Sequence, residues 1–210
     1  MSDAEQLRMG ALAHPMGAPP PIADPWVLPS RGRAGMIALI VTDSAFFSIF
    51  VAAYVFYIGK SLTPPYPHDV LSYPVLNTIC LLSSSLTIVV AARALRQDSI
   101  RQFAVFWFIT LALAVEFLIG TGREWHRLIY QAGLTLRTNL FGTTYYSLVG
   151  LHALHVTIGA SAIALIMALT WSGAVSQEHA ERIEIFSWYW HFVDAVWVVV
   201  FVTVYVVSTR

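Results

Sequence analysis

The sequence is short of the residues on which many enzymes and redox proteins depend. It has one cysteine, Cys80, so the chain alone can form neither an internal disulfide bond nor a Cys-x-x-Cys metal or redox motif. Charged residues make up only 11%, and the 12 basic and 12 acidic side chains cancel. Without net charge or a basic patch, nucleic acid is not expected as a partner. Because the chain has no Gly-rich phosphate loop, G-x-S-x-G elbow or H-E-x-x-H motif, we expect no self-contained active site.

Hydrophobic residues make up 57% of the 210-residue chain and fall into five long runs. A membrane-spanning helix needs about 20 predominantly apolar residues, and each run approaches or exceeds that length. We therefore predict an all-α membrane protein, a five-transmembrane-helix bundle. The spans are predicted at about 34–58, 74–92, 102–121, 140–171 and 185–208.

Residues 1–33 are rich in Pro, Ala and Gly and show no hydrophobic periodicity. They are predicted to form an exposed N-terminal tail, followed by a single transmembrane domain at 34–210. The first apolar run starts too late for a cleaved signal peptide, so the first span is predicted to be uncleaved. Five spans place the termini on opposite sides of the membrane. Arginines are slightly more frequent on the N-terminal side, which favours a cytoplasmic N-terminus by the positive-inside rule.

Four acidic residues lie in or at the edge of the predicted spans: Asp43, Glu116, Glu124 and Asp194. A charged side chain at the membrane centre costs about 2.5 to 3.5 kcal/mol on insertion scales, so each carboxyl group needs a reason to be there. Asp43 would either take up a proton or contact a lipid or another subunit, or it would form a buried hydrogen bond to Ser or Thr. The same two readings apply to Glu116, and together the two carboxyl groups would suit a small transporter with a polar pathway.

Glu124 stands at the end of the third span, where the membrane interface is wetter. Its neighbours Arg123 and Arg127 favour an ion-paired anchor over a catalytic role. Trp125, next to it, is typical of the aromatic belt at a membrane interface.

Histidines mark the last two spans. His152 and His155 are three residues apart and share one helix face, as do His191 and Asp194 in the stretch SWYWHFVDAVW. Three imidazoles could ligate a transition metal or a haem, and the aromatic residues around His191 could stack on a quinone or haem. A self-contained haem or quinone carrier is one hypothesis. Hydrogen-bonded core histidines, with His191 and Asp194 neutralising each other, are the other.

The same residues resemble subunit III of the haem-copper terminal oxidases, the cytochrome c oxidase and quinol oxidase family, over about residues 37–207. The family's E-x-x-x-W-Y-W-H-F-V-D-x-V-W motif is present at 184–197. Its glycine and histidine motif, G-S-x-[FY]-[FY]-x-x-x-G-x-H-x-x-H-V-x-x-G, is met at 142–159 with Thr143 in place of Ser. The segment LNTICLLSSSLT at 76–87 is similar to the family's second conserved stretch.

Three features depart from the family pattern. Asp43 stands where the family's S-E-x-M-F-F motif has glutamate, so the carboxyl group is on a shorter side chain. Thr121 replaces the glutamine of the Q-x-x-E motif. The first two helices of the seven-helix members have no counterpart, so the chain is similar to the short, five-helix bacterial type.

The resemblance implies the non-catalytic subunit III of a proton-pumping, aa3-type or related cytochrome c oxidase in a bacterial cytoplasmic membrane. Such a subunit docks on subunit I and other oxidase subunits, binds phospholipid, and supports proton uptake and stability during turnover. It has no catalytic residue or metal of its own, since haem and copper belong to the partner subunits. An accessory subunit of nitric oxide reductase is the alternative within the family.

The resemblance also implies two groups of site residues. A lipid-binding or proton-related role is expected for Asp43, Glu124 and Trp125. A structural polar core is expected from His152, His155, Glu184, His191 and Asp194.

Overall fold

The computed structural model describes residues 30–208, so most of the predicted N-terminal tail lies outside the described residues. The described chain contains five long helices, each long and apolar enough to cross a membrane. They are α1 (Arg31–Tyr57), α2 (Val75–Arg96), α3 (Ile100–Tyr130), α4 (Leu140–Trp171) and α5 (Ala180–Phe201). A π-helical turn, Val202–Val207, continues α5. The prediction of an all-α, five-span membrane protein is confirmed.

Helix α3 extends furthest beyond its predicted apolar span. It continues through the polar segment after residue 121 and ends at Tyr130. Nothing in that segment forces the backbone out of the helix before Gly133, whose φ of 67° lies in the left-handed region. The helix therefore carries Glu124 and Trp125 in its last two turns rather than in a loop.

Four of the helices form a closed bundle in chain order. Helix α2 packs against α3, α3 against α4, α4 against α5, and α5 returns to α2. Inside lipid the backbone must satisfy its own hydrogen bonds, so helices are the expected elements, and side-chain packing decides how they associate.

The seam between α2 and α5 is held by buried tryptophans that donate hydrogen bonds. Trp190 Nε1 donates to Ser84 Oγ at 2.8 Å, and Trp197 Nε1 donates to Thr78 Oγ1 at 3.1 Å. Both rings are at most 1% exposed. A buried indole needs a partner for its N–H group, and hydroxyls on the facing helix supply it.

Helix α1 stands at the side of this bundle and is attached by few side chains. Its buried residues are Phe47 and Tyr54. The Phe47 ring lies 4.9 Å from the imidazole of His155 on α4 and 6.4 Å from the ring of Phe192 on α5. Most other side chains of α1 are exposed, so α1 leaves a wide apolar surface for lipid or protein.

The loop between α1 and α2 is fixed to the start of α4 by three hydrogen bonds, two of which come from Asn139 and one of which runs from Phe141 N to Ser61 Oγ. Asn139 caps α4, since its Oδ1 accepts a hydrogen bond from Gly142 N at 2.8 Å. Its Nδ2 donates to the carbonyl oxygens of Thr63 and Pro65 at 2.8 and 3.0 Å. One side chain thus caps the start of a helix and anchors a distant loop.

We predict that Gly159→Ala weakens the contact between α4 and α5. A Cβ at this position would lie 2.6 Å from Cζ3 of the buried Trp190 ring, which the hydrogen bond to Ser84 holds in place. Overpacking of this kind costs about 1 to 3 kcal/mol. The midpoint of unfolding by SDS or heat in detergent should fall accordingly.

Gly150→Ala is the matched control, because it lies on the same helix and its Cβ would make ordinary contact with Trp125 at 3.5 Å. Equal unfolding midpoints for the two variants would contradict the packing of α4 on α5.

Candidate functional site

Asp43 and His155 meet where α1 contacts α4. His155 Nε2 lies 3.5 Å from Asp43 Oδ2, and the two side chains are 13% and 24% exposed. Both come from the middle of their helices, so the sequence brings an acid and a base together at membrane depth. The buried ring of Phe47 packs against His155 and shields the pair on one side.

The second nitrogen of His155 decides how the pair can hold protons. Nδ1 lies 2.9 Å from the carbonyl oxygen of Leu151, which can only accept, so Nδ1 carries a hydrogen. In the neutral imidazole, Nε2 then carries no hydrogen, and its lone pair is directed toward Asp43. A bond between Nε2 and the carboxyl group requires one further proton, which resides on either the imidazole or the carboxyl group. The pair therefore forms a site for one proton.

An apolar groove lies beside this pair, between α1 and α5. Its volume is about 740 Å³. Ser44, which follows Asp43, and Phe47, which touches His155, both line it. The rest of its lining is Ser48, Val51, Ala52, Val55, Phe56, Phe192, Ala195, Val196 and Val199. A groove of this size and composition fits hydrocarbon chains or an apolar helix.

Glu124 is hydrogen-bonded by a tyrosine, and the arginines beside it in the sequence form their hydrogen bonds elsewhere. Tyr205 Oη lies 3.1 and 3.0 Å from the two carboxylate oxygens and donates to them. Tyr145 Oη lies 3.4 Å from Tyr205 Oη. Because the Tyr205 hydroxyl hydrogen is already donated to Glu124, Tyr145 is the donor in this contact. Trp125 packs edge-on against Tyr146, and its buried Nε1 has no hydrogen-bond partner among the described residues.

The arginines expected to anchor Glu124 have other partners. Arg127 Nη2 donates to the Val70 carbonyl and to Ser72 Oγ, both at 2.9 Å, and so fastens the loop before α2. Arg123 Nη1 lies 3.5 Å from Glu116 Oε1. Glu116 therefore has a cationic partner seven residues further along α3, and a polar pathway is not needed to explain it.

His191 and Asp194 do not act as the direct pair that their spacing predicted, because Ser85 of α2 stands between them. Ser85 Oγ lies 3.0 Å from His191 Nδ1 and is hydrogen-bonded to Asp194 Oδ2. Ser85 was not singled out in the sequence. Three consecutive serines within an apolar span were the available signal, since each hydroxyl needs a partner.

Glu184, at the N-terminal end of α5, forms an ion pair with Arg96 in the last turn of α2. A second pair, Arg33 with Glu181 at 3.3 Å, lies near the start of α1. Both pairs lie at the end of the bundle where α1 and α5 begin and α2 ends.

His152 differs from the hydrogen-bonded core histidine that its motif predicted. It is fully buried, with its ring 5.7 Å from Phe117 and 5.0 Å from Trp197. Neither ring nitrogen has a hydrogen-bond partner in the part of the chain that the structure describes.

The three histidines of α4 and α5 have separate environments. His155 faces Asp43, His191 faces Ser85, and His152 lies among aromatic rings. Across residues 30–208, no group of three or more His, Cys, Asp or Glu side chains is arranged to hold a metal ion. The geometry that a three-imidazole metal centre needs is not formed by these residues.

Comparisons with known proteins point in one direction. The family model described as cytochrome c oxidase subunit III matches residues 30–209. A relative named cytochrome c oxidase subunit 3 from Synechocystis sp. is 35% identical, over 84% of this chain and 76% of the relative. One of that name from Thermostichus vulcanus is 32% identical, over 83% and 86%, and one from Dugong dugon is 30% identical, over 82% and 68%.

We predict that Tyr205→Phe destabilises the chain. The change removes the hydroxyl that donates to both oxygens of Glu124 and leaves a half-buried carboxyl group without that donor. Loss of such a partner costs about 1 to 3 kcal/mol. SDS or thermal unfolding in detergent measures the effect.

Tyr130→Phe is the control, because it removes a hydroxyl from a side chain that is 76% exposed. If both variants unfold at the wild-type midpoint, the hydrogen bond to Glu124 does not stabilise the fold.

Proposed function

The chain belongs to the cytochrome c oxidase subunit III family, and we propose that it is the non-catalytic subunit III of an aa3-type or related proton-pumping oxidase. The relatives' shared name supports a place in an oxidase complex, in which haem, copper and oxygen chemistry belong to the complex as a whole. This chain would dock on the catalytic subunit I, bind phospholipid, and support proton uptake and stability during turnover in aerobic respiration.

The groove between α1 and α5 supports the lipid part of this proposal. It combines a volume of about 740 Å³ with mainly apolar side chains and two serines, Ser44 and Ser48. The groove is open because α1 touches the bundle through few residues, such as Phe47. We propose that phospholipid chains occupy it and that helices of the partner subunit cover its outer side.

The proton part of the proposal rests on one observation, the Asp43–His155 pair beside this groove. An acid and an imidazole 3.5 Å apart can hold one proton between them, in a place that lipid or a partner shields from water. A proton-binding group at an intersubunit surface can supply protons to the partner. Asp43 is therefore the residue that we place closest to proton uptake.

The proposed location is a bacterial cytoplasmic membrane with a cytoplasmic N-terminus. Arginines gather where α1 and α5 begin and α2 ends, and Arg96 and Arg33 form ion pairs there with Glu184 and Glu181. An excess of arginine at one end supports a cytoplasmic position for that end.

We expect a haem-copper subunit I to co-purify with the chain. The experiment is gentle detergent extraction of the tagged full-length chain from its native membrane, followed by mass spectrometry of what is bound. Recovery of a nitric oxide reductase large subunit in its place would overturn the oxidase assignment. A chain recovered alone with its own haem or quinone would favour the carrier hypothesis.

We also expect Asp43→Asn to leave assembly intact but to shorten the lifetime of the oxidase under turnover. The Asn amide can donate to the lone pair of His155 Nε2, so packing is preserved, but the exchangeable proton is lost. Oxygen consumption by the purified complex, followed until it declines, gives the rate and the lifetime.

Asp43→Glu is the control, since it keeps a carboxyl group and restores the residue typical of the family. A wild-type rate and lifetime in Asp43→Asn would show that this carboxyl group has no role in proton uptake.

A further inference from the structure

A second polar chain crosses the seam between α2 and α5 and has no part in the function proposed above. It consists of His191 and Asp194 on α5 and Ser85 on α2. Ser85 Oγ contacts both His191 Nδ1, at 3.0 Å, and Asp194 Oδ2. The serine hydroxyl is thus the bridge between an imidazole and a carboxyl group.

A serine hydroxyl has one hydrogen, so the direction of one bond sets the direction of the other. If Ser85 donates to an ionised Asp194, it must accept from His191, which then carries its hydrogen on Nδ1. If Asp194 is protonated and donates to Ser85, the serine donates to His191 Nδ1, and the imidazole hydrogen is on Nε2. Both arrangements fit the same positions of the oxygen and nitrogen atoms.

The two arrangements differ by one proton. The first has a hydrogen on Nδ1, one on the serine and none on Asp194, with a net charge of −1. The second has a hydrogen on Nε2, one on the serine and one on Asp194, and is neutral. A proton added to His191 Nε2 converts the first arrangement into the second when the Nδ1 hydrogen moves to Ser85 and the serine hydrogen moves to Asp194.

Burial favours protonation of Asp194, the carboxyl group at one end of this hydrogen-bonded series. Asp194 is 3% exposed, and its Oδ1 has no hydrogen-bond partner within residues 30–208. A buried carboxylate with one bare oxygen is poorly stabilised, whereas the neutral acid is stabilised by the single contact that it has. Protonation therefore relieves the cost of burial.

His191, at the other end of this series, lines a cavity of about 310 Å³ between α2 and α5. Nδ1 is taken by Ser85, so Nε2 is the nitrogen left to meet the cavity. The charged residues that line the cavity are Arg93 and Arg96 of α2 and Glu184 of α5. Their presence places the cavity at the polar end of the bundle, where water and protons are available.

We propose that His191, Ser85 and Asp194 form a proton relay that loads Asp194 from this cavity. A proton binds at His191 Nε2, the imidazole passes its Nδ1 hydrogen to Ser85, and Ser85 passes its own hydrogen to Asp194 Oδ2. The reverse steps release the proton to the cavity. The relay is independent of Asp43 and of the oxidase partner, and Asp194 is an exchangeable proton site in the seam.

The test is infrared spectroscopy of the full-length chain in lipid nanodiscs, across a range of pH and with transfer from H₂O to D₂O. We expect the C=O band of a protonated carboxyl group that shifts on deuteration and is absent in Asp194→Asn. In Ser85→Ala the exchange of this band should slow by about a hundredfold, the size of effect typical of a positioned proton-transfer group.

Three further variants separate the relay from a merely structural role. Ser83→Ala removes a nearby serine of the same helix that lies outside the relay and should exchange at the wild-type rate. Ser85→Thr retains the hydroxyl and should restore fast exchange. His191→Gln removes the imidazole that faces the cavity and leaves the Ser85–Asp194 contact in place, so exchange of the Asp194 band should be slow. This variant replaces Ser85→Ala if Ser85→Ala does not fold.

Several results would overturn the relay. One is the lack of any Asp194 band at all pH values, and another is a band that does not exchange with D₂O. Equal exchange rates in wild type, His191→Gln and Ser85→Ala would exclude transfer through the imidazole and the hydroxyl. None of these measurements requires the oxidase complex, so they stand apart from the co-purification test.

Discussion

The interior of a membrane offers no water to polar groups, and this constraint explains the contact between α2 and α5. Several polar groups on one helix of that seam are hydrogen-bonded to a group on the other. The indoles of Trp190 and Trp197 donate to hydroxyl groups on α2, and Asp194 is hydrogen-bonded to Ser85. At the polar end of the seam, Arg96 and Glu184 form an ion pair. The apolar residues fill the bundle, but these polar contacts select how the two helices face each other.

The two carboxyl groups to which we assign proton roles differ in what surrounds them. Asp43 lies at the edge of the bundle, beside an open groove and opposite His155, where a neighbouring molecule would complete its environment. Asp194 is buried in the seam, where Ser85 connects it to His191. The two proposals therefore separate, since that for Asp43 depends on what binds beside the groove and that for Asp194 depends on the solvent at one end of the bundle.

Hydrophobic run length and motif spacing predicted the five spans and identified Asp43, His155 and Asp194 before their partners were known. The partners themselves were not predictable in the same way. Ser85 and Tyr205 are ordinary residues of an apolar helix, and they matter because of how their helices are rotated toward a neighbour. That rotation results from packing between residues far apart in the chain, which a single sequence does not encode as a periodic pattern.

Because neighbouring helices in the sequence pack against each other, the helix contacts can form in the order in which the helices are synthesised. Contacts between α2 and α3, α3 and α4, and α4 and α5 can form as successive hairpins leave the ribosome and enter the membrane. The contact that closes the ring cannot form until α5 has been synthesised. Until then Ser84 and Thr78 of α2, whose hydroxyl groups donate to carbonyls of their own helix, lack the indole N–H groups that they accept from α5, so a chain truncated before α5 would leave the polar face of α2 toward lipid.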